Sequence, residues 1–355
     1  MKKKILVYAL SGIGDALMFT PALVLMRKHL PDAQIDALVM FSGVKDIYER
    51  TGKFDNVFHF EFLKQGVVKS LLFLSKLFRK YTHVINVYPS NRKEYNIIGF
   101  LSLAKHRGGV KYLRKDFNNF GFLNTVRIQE KDSFHNVEEN MLLVRKMFDI
   151  KDYKEYDLLF LLIEEDEQYA DNFLIRKNIS HSDLLIGFHA GCATMKNHIM
   201  RRWEPEKFAE LAKRLIVELN AKIILFGGPD EIELNQLISS KVNHNNLFIV
   251  DSKNLAQSAA LIKKCELMIT NDSALMHVSA AMKRKVVAII GPTNRSYIYP
   301  WKTPYKIVSL NLDCSPCFFY SPKPLSCSRS DAQFKCIKEL DVNLVFNEAK
   351  IFLSE

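Results

Sequence analysis

The sequence has no hydrophobic run long enough to cross a membrane. Its longest apolar stretches, such as residues 286–290, have the length of a β-strand, whereas a spanning helix needs about 20 apolar residues. The apolar run after the N-terminal lysines breaks at Ser11-Gly12, and no small-residue cleavage site follows. We therefore interpret it as a first strand rather than a signal peptide, and expect a cytosolic protein.

Signatures of nucleic-acid binding are also missing. The chain has no zinc finger, no RNA-binding signature, no long basic run and no internal repeat, so we expect no nucleic-acid partner. Its net charge of +11 nevertheless favours association with anions. A membrane surface or an anionic glycolipid fits this charge better than nucleic acid, although some cytosolic proteins are basic without such a partner.

What is present predicts two α/β domains. A chain of 355 residues, 48% of them apolar, is too long for a single domain with one ordinary hydrophobic core. Apolar, β-branched runs alternate with helical patterns, which predicts parallel sheets and doubly wound domains over residues 1–165 and 166–355. The predicted strands are residues 4–10, 35–40, 57–60, 83–87, 184–189, 221–226, 247–250, 267–270 and 286–290, with helices at 15–30, 164–176, 205–219, 231–239, 254–264 and 274–282.

The first strand leads into a glycine turn and an acid. Gly12 and Gly14 allow the backbone to approach a ligand closely. A dinucleotide fingerprint would need a third glycine where Leu17 stands, and the Gly-Lys-Ser/Thr of a P-loop is missing. Asp15 therefore either caps the helix that follows or performs chemistry, and its spacing alone favours the cap.

A second turn, after a later strand, resembles a phosphate cradle. Asn271, Asp272 and Ser273 are all good N-cap residues, and a helix N-terminus presents free N–H groups and a positive dipole end. His277 lies one turn further on the same side as Ser273. It is either a ligand contact or a core histidine whose ring nitrogen bonds a carbonyl.

Two further segments between these turns suit a nucleotide. In the first, residues 187–191, a strand ends in small residues that flank His189. Arg201 or Arg202, shortly after it, could bind phosphate oxygens with two hydrogen bonds. Residues 225–231 form a strand, a glycine turn and the acids Asp230 and Glu231. An acid there either accepts hydrogen bonds from ribose hydroxyl groups or caps the next helix.

These segments together are similar to glycosyltransferase family 9, the ADP-heptose:lipopolysaccharide heptosyltransferases. The matching motifs are Gly-Asp-x4-Thr-Pro-Ala-Leu, Arg-Trp-x-Pro-Glu-x-Phe, Gly-Gly-Pro-x-Glu and Asn-Asp-Ser-x-Leu-x-His with its trailing Gly-Pro-Thr, in order between about residues 4 and 340. The resemblance implies a GT-B fold, with an N-terminal acceptor domain facing a C-terminal nucleotide-sugar domain across a cleft. It also allows the last helix to pack back on the N-terminal domain.

The resemblance implies an inverting transfer of heptose from ADP-heptose to a lipopolysaccharide inner-core acceptor, at the cytoplasmic face of the inner membrane. It makes Asp15 the general base, against the local preference for a cap. No cofactor is required, because Arg201 or Arg202 and the helix near Asp272 would stabilise the departing diphosphate. The residues assigned to donor binding are Gly14, His189, Gly191, Arg201, Arg202, Gly227, Glu231, Asn271, Asp272, Ser273, Ala274, Leu275 and His277.

Other functions stay open at this point. A family member could use another nucleotide sugar for a different surface glycan, and a non-catalytic nucleotide-sugar or glycolipid binding protein would carry the same cradle. A sugar-nucleotide epimerase would need a dinucleotide fingerprint and a Tyr-x3-Lys pair, and we find neither.

The C-terminal stretch concentrates cysteine. The spacing Cys-x2-Cys-x9-Cys-x8-Cys could supply a structural zinc site, with reduced thiols or a disulfide as the alternatives, at Cys314, Cys317, Cys327 and Cys336. The other two cysteines, Cys192 and Cys265, are expected to be buried small residues.

Two basic regions lie in the first domain. Residues 67–81 are helical in pattern, and Lys69, Phe73, Lys76 and Lys80 share one face. That face either contacts an anionic membrane or is a solvated face opposite a Leu/Val core stripe. The pattern favours the solvated face. The second region supplies candidates for binding the phosphates or carboxylates of an acceptor lipid, namely Arg92, Arg107 and Lys111.

Overall fold

The chain forms two compact units in a computed structural model that describes residues 2–319 and 324–355. The first unit is Met1–Leu161 and the second is Leu162–Glu355. None of the helices in the described ranges has the length and apolar composition needed to span a bilayer.

The first unit is built on a parallel sheet of six strands. Its strands are β1 (Lys4–Ala9), β2 (Gln34–Val39), β3 (Asn56–His59), β4 (His83–Asn86), β5 (His106–Lys111) and β6 (Val126–Gln129). They lie in the order β3-β2-β1-β4-β5-β6, and all pairings are parallel. The order reverses direction between β1 and β4, and the carboxyl ends of these two strands border the crevice where doubly wound sheets bind ligands.

The second unit repeats this topology. Its strands are β7 (Leu185–His189), β8 (Lys222–Leu225), β9 (Leu247–Ile249), β10 (Leu267–Asn271), β11 (Lys285–Ile289) and β12 (Tyr305–Val308). The order β12-β11-β10-β7-β8-β9 places the reversal between β7 and β10. The central strands are buried on both faces, as parallel strands covered by helices must be.

Helices cover both sheets. In the first unit they are α1 (Ile13–His29), α2 (Ser42–Arg50), α3 (Phe62–Ser75), α4 (Lys93–Leu101) and α5 (Asn136–Phe148). In the second unit they are α6 (Glu164–Arg176), α7 (Pro205–Leu219), α8 (Ile232–Val242), α9 (Leu255–Lys264), α10 (Ala274–Ala281), α11 (Arg295–Ile298), α12 (Lys335–Lys338) and α13 (Val342–Ser354). Short 3₁₀ turns occur at Gly121–Leu123, Met195–Arg201 and Pro229–Glu231.

The last helix belongs to the core of the second unit. Val345 and Phe346 of α13 are buried in the cluster that α7 and the strands of this sheet form. The Arg214 guanidinium lies 3.8 Å from the centre of the Phe346 ring. From the sequence, this helix could have packed on the N-terminal domain. In the structure its apolar face packs into the core of the second unit.

Candidate functional site

In the first unit, Asp15 stands at the carboxyl edge of β1. Gly12 is the N-cap of α1 in an extended conformation, and Asp15 is the acid of the first helical turn. The residue is half-buried. Because the positive end of the helix dipole favours a nearby anion, this position stabilises an ionised carboxylate.

The charge of this acid acts on nearby tyrosines. Burial raises the pKa of Tyr48, and the charge of Asp15 raises it further. Burial also raises the pKa of Tyr95, with Arg92 opposing and Asp15 reinforcing that shift. Tyr95 donates to the Leu10 carbonyl at 2.8 Å, and the Arg92 guanidinium lies 5.8 Å from the centre of its ring. The edge of β1 therefore carries an acid whose charge reaches the phenol groups of Tyr48 and Tyr95, the second of which also lies beside Arg92.

The loop after β4, which leads to Arg92, is fixed by buried polar groups. Asn140 of α5 accepts from the Tyr88 N–H at 2.9 Å and donates to the Tyr88 carbonyl at 3.0 Å. The Tyr88 hydroxyl donates to Glu130 at 2.8 Å. The Ser90 N–H donates to the Tyr112 hydroxyl at 2.6 Å. These bonds hold the loop beside the carboxyl end of β1.

Sequence reasoning missed the acid beneath this loop. Glu139 is fully buried and accepts from the Lys131 N–H at 2.8 Å. Burial raises its pKa to about 7, well above that of an ordinary glutamate. The available signal is the pattern His135-x2-Glu138, which forms a capping box at the start of α5 and so puts Glu139 just after the first turn of this helix.

The structure brings only part of the predicted acceptor set to this edge. Arg92 precedes α4, and Lys111 ends β5, so both lie at the carboxyl side of the sheet. Arg107 sits near the amino end of β5, and its guanidinium donates to the carbonyls of Leu123 and Ala104 at 2.8 and 2.7 Å. The structure therefore places Arg107 apart from the other two, with its side chain tying two turns together, and acceptor binding by Arg107 stays a prediction.

In the second unit, His189 links the carboxyl ends of three strands. It is the last residue of β7, and its Nδ1 lies 2.8 Å from the Ser273 hydroxyl that follows β10. Its Nε2 lies 3.1 Å from a carboxylate oxygen of Glu231, which follows β8. Glu231 also accepts from the Gly228 N–H at 2.9 Å. The three predicted donor segments therefore meet at one point.

The Glu231 carboxylate is held in its charged form. Burial alone would raise its pKa, but the hydrogen bond and charge of His189 lower it below the usual value, with help from Gly228 and Arg202. An added Cβ at Gly191 would lie 1.5 Å from Glu231 Oε1, so any larger residue there would displace this carboxylate. Glu231 thus organises the loops of the site in addition to any contact with a ribose.

Both candidate arginines contact acids of the site. Arg201 Nη1 donates to Asp272 Oδ2 at 2.5 Å, and the Thr293 hydroxyl donates to the same oxygen at 2.6 Å. Arg202 donates to the Cys192 carbonyl at 2.9 Å and lies 3.6 Å from Glu231. Asp272 is thus the counterion of Arg201, which the sequence did not indicate.

Asn271 positions the surrounding loops. It is completely buried, accepts from the Trp203 N–H at 3.1 Å and donates to the Ala190 carbonyl at 2.7 Å. These two bonds tie the end of β10 to the loop after β7 and to the start of the segment before α7. Asn271 therefore has a structural role, and the ligand contact predicted for it stays a prediction.

The start of α10 is polar and incompletely satisfied. Ser273 is the N-cap, and the first-turn N–H groups that follow, from Ala274 and Leu275 onward, have no acceptor within a helix. His277 is 3% exposed, and burial lowers its pKa to about 4. Its Nδ1 has no hydrogen-bond partner in the described residues, so the carbonyl expected for a core histidine is not at that nitrogen.

A second histidine of this site escaped the sequence reasoning. His198 Nδ1 lies 3.4 Å from Arg201 Nη2, and burial lowers the pKa of this ring to about 4. Its Nε2 is buried and has no partner among the described residues, and the same is true of Arg202 Nε. The cluster of basic side chains at residues 196–202 was the available signal.

The four C-terminal cysteines are neighbours: burial, and then the charges of Cys317, Cys327 and Cys314, raise the pKa of Cys336. The structural zinc predicted for them stays a prediction. Within the described residues, no group of three or more histidine, cysteine or acidic side chains could hold a metal ion. Two of the sulfurs also accept hydrogen bonds: Cys327 accepts from the Phe334 N–H at 3.3 Å, and Cys314 accepts from Arg329 at 3.6 Å. All six cysteines of the chain are free thiols, and the expectation that Cys192 and Cys265 are buried is confirmed.

The cysteine segment supports the Gly-Pro-Thr turn. The N–H groups of Cys317 and Phe318 both donate to the Pro292 carbonyl at 3.0 Å. The Ser315 hydroxyl donates to the Gly291 carbonyl at 2.9 Å. Since Thr293 in turn bonds Asp272, this segment helps to fix the acid that holds Arg201.

Comparison with known proteins identifies relatives along almost the whole chain. The model of glycosyltransferase family 9 (heptosyltransferase) matches residues 91–325. Lipooligosaccharide heptosyltransferase 2 of Campylobacter jejuni serotype O:2 is 28% identical over 370 residues, which cover 99% of this chain and 98% of that protein. Lipopolysaccharide heptosyltransferase 2 of Salmonella typhimurium is 28% identical over 232 residues, or 63% of this chain and 64% of that protein.

Solved structures agree in fold. The ADP-heptose lps heptosyltransferase II of E. coli superimposes with a TM-score of 0.74 at 20% identity, covering 100% of this chain and 99% of that one. A family 9 glycosyl transferase from Veillonella parvula gives 0.70 at 23% identity, covering 86% and 85%. The likeness confirms the predicted GT-B fold class with its two Rossmann-like domains.

Proposed function

The chain belongs to glycosyltransferase family 9, and on that premise we propose that it transfers heptose from ADP-heptose to a lipopolysaccharide inner-core acceptor. As a member of this family it is a glycosyltransferase. The heptose donor is supported by relatives that carry the name heptosyltransferase 2 over 98% of their own length.

The observation that carries the proposal is the unsatisfied polar cluster at the start of α10. Buried nitrogens of His198, Arg202 and His277 lack partners in the described part of the chain, although buried polar groups are normally satisfied. A helix N-terminus with such groups beside it suits a diphosphate, which offers several anionic acceptor oxygens. The diphosphate of a nucleotide sugar would complete these bonds.

The proposed reaction is a single displacement. The acceptor hydroxyl oxygen forms a bond to the anomeric carbon while the bond from that carbon to the diphosphate oxygen breaks, which inverts the configuration. The proton of the hydroxyl passes to the Asp15 carboxylate, which acts as general base. Arg202 and the N–H groups at the start of α10 stabilise the negative charge on the departing ADP.

The acceptor side of the proposal uses Arg92 and Lys111. Both lie at the same sheet edge as Asp15, and both are cations that suit the phosphates and carboxylates of an inner-core glycolipid. A glycolipid acceptor resides in a membrane, so we also propose that the protein works peripherally at the cytoplasmic face of the inner membrane. The net charge of +11 supports that location.

Nucleotide screening followed by product analysis tests the proposal. ADP and ADP-heptose should raise the melting temperature, and incubation with ADP-heptose and a heptose-deficient lipopolysaccharide should add one heptose mass to the acceptor. Stabilisation by UDP- or GDP-linked sugars alone would contradict the donor. Binding of ADP-heptose without product, on every inner-core acceptor tried, would indicate a binding protein instead of an enzyme.

A further inference from the structure

The helix α3 carries an apolar surface that the fold leaves uncovered. We propose that this surface docks the protein onto an anionic lipid bilayer, with the apolar side chains entering the headgroup region and the flanking lysines contacting lipid phosphates. The proposal concerns lipid binding and does not depend on the identity of the sugar donor.

The uncovered surface is a single helical face. Val67, Val68, Leu71 and Leu72, here called the α3 apolar face, are 76%, 72%, 52% and 63% exposed. Their spacing of i, i+1, i+4 and i+5 puts them on one side of the helix. No residue of α3 is buried, although most helices of a globular protein turn their apolar side chains inward. Contiguous exposed apolar side chains of this kind mark interaction sites.

A different face holds the helix to the protein. Phe62, Phe73 and Leu74 are half-buried against the core cluster of the first unit. The Phe73 ring stacks on Phe60 with 4.4 Å between centroids. Because this contact already anchors α3, the α3 apolar face is available to a partner.

The bounds and the residue placement predicted for this segment need correction. The helix ends at Ser75 instead of residue 81, and Phe73 turns toward the core instead of sharing an exposed face with the lysines. The Leu/Val stripe was expected to form the core, but Val67, Val68, Leu71 and Leu72 face solvent, and of this stripe only Leu74 and Leu77 pack on the core.

Charge identifies the partner. Residues 62–80 contain five lysine or arginine residues and no acid. All five cations are exposed, and one of them, Lys64, is paired with Glu61 at 2.8 Å. The others, Lys69, Lys76, Arg79 and Lys80, border the α3 apolar face or follow it directly. Apolar side chains bordered by cations without acids match a surface of anionic lipids, whose phosphates attract each basic residue.

The apolar surface continues beyond the helix. Phe78 is 48% exposed, and the Arg79 N–H donates to the Ser102 carbonyl at 3.0 Å, which brings the end of α4 alongside. Leu103 and Phe100 there are 43% and 42% exposed. A second copy of the chain is a poorer occupant, because packing two such faces together would bring unpaired cations of like charge near one another.

Vesicle flotation tests the docking. The full chain should float with vesicles of phosphatidylglycerol and phosphatidylcholine and not with phosphatidylcholine alone. Leu71→Asn/Leu72→Asn should weaken binding by about tenfold or more, because two apolar side chains no longer leave water. Lys69→Gln/Lys76→Gln should weaken it mainly at low salt, where charge attraction is least screened.

A matched control separates this face from general surface hydrophobicity. Ile175 and Val217 of the second unit are 71% and 80% exposed, so Ile175→Asn/Val217→Asn removes apolar groups that are at least as exposed as Leu71 and Leu72. This variant should float like the wild type. Circular dichroism of all variants checks that the fold is retained.

Insertion of the α3 apolar face into the bilayer can be measured by fluorescence. The two natural tryptophans, Trp203 and Trp301, are 1% and 3% exposed, so a tryptophan added by Leu71→Trp reports separately from them. Its emission should shift to the blue on anionic vesicles and be quenched by brominated acyl chains. The proposal is overturned by an absence of binding to anionic vesicles, by binding that neither double variant weakens, or by a dimer in solution that Leu71→Asn/Leu72→Asn dissociates.

Discussion

Arg201 and Asp272 form a buried ion pair across 71 residues of sequence, with Nη1 and Oδ2 2.5 Å apart and side chains only 11% and 9% exposed. Removing one member leaves the other charged and desolvated. The pair therefore couples the segment before α7 to the start of α10, and its loss should disturb stability as well as donor binding.

Asp272→Asn should lower the free energy of unfolding by about 3 kcal/mol, since Arg201 then lacks its counterion. Denaturant unfolding measures the change. Glu218→Gln is the matched control, because Glu218 is 40% exposed in its pair with Arg214 and such pairs contribute about 0–1 kcal/mol. Adding Arg201→Met to Asp272→Asn should recover part of the loss, and a strictly additive double variant would argue against the coupling.

Asp15→Asn should reduce heptose transfer by about 10²–10⁴-fold, because the amide cannot take the acceptor proton. ADP should still raise the melting temperature as in the wild type, since its proposed site lies in the second unit. Asp32→Asn, an exposed acid of the same unit, is the control and should keep full activity. Unchanged turnover in Asp15→Asn would remove this residue from the mechanism.

Glu139 should make the stability of the protein depend on pH. Burial raises its folded pKa to about 7, above the unfolded value of 4.5, so the folded state holds a proton that the unfolded state has lost. The contribution of Glu139 to the free energy of unfolding is fully present below about pH 4.5, and it is lost as the pH rises through about 7. Glu139→Gln keeps an acceptor for the Lys131 N–H but cannot ionise.

The difference in free energy of unfolding between Glu139→Gln and the wild type should therefore shift in favour of the variant by on the order of 3 kcal/mol from pH 5 to pH 8. Urea unfolding at both pH values gives the comparison. An identical pH dependence in both proteins would show that Glu139 ionises normally.

Gly191→Ala should displace Glu231, because the added methyl group would overlap its carboxylate oxygen. We expect a destabilisation of about 1–3 kcal/mol and weaker stabilisation by ADP, read from melting curves with and without nucleotide. Gly228→Ala is the control: a Cβ there meets no atom within 4 Å, so this variant should behave like the wild type. Equal behaviour of the two variants would contradict the tight fit at Gly191.

The sequence predicted the strands that consist of apolar residues and the turns at their carboxyl ends. That was enough to bring His189, Glu231 and Ser273 together, because parallel strands place their carboxyl ends at one edge of the sheet. It missed β5, whose sequence His-Arg-Gly-Gly-Val-Lys has a single apolar residue and becomes a strand through its pairing with β4 and β6.

Other parts of the site depend on contacts between distant residues. Nothing in the local pattern distinguishes an asparagine that touches a ligand from Asn271, which bonds loops 68 and 81 residues away. The same holds for α3, because leucines and valines at helical spacing look alike whether a core or a lipid surface covers them. Only the packing of Phe73 and Leu74 reveals which side of this helix is anchored.

The ion pairs of the second unit also set how donor binding should respond to ionic strength. The formal charges of Arg201 and Arg202 are balanced by Asp272 and Glu231, and the pKa values of about 4 leave His198 and His277 neutral at pH 7. ADP would thus be held by oriented N–H groups rather than by excess positive charge. Its affinity should change little with added salt, whereas attachment through the lysines of α3 should weaken as salt rises.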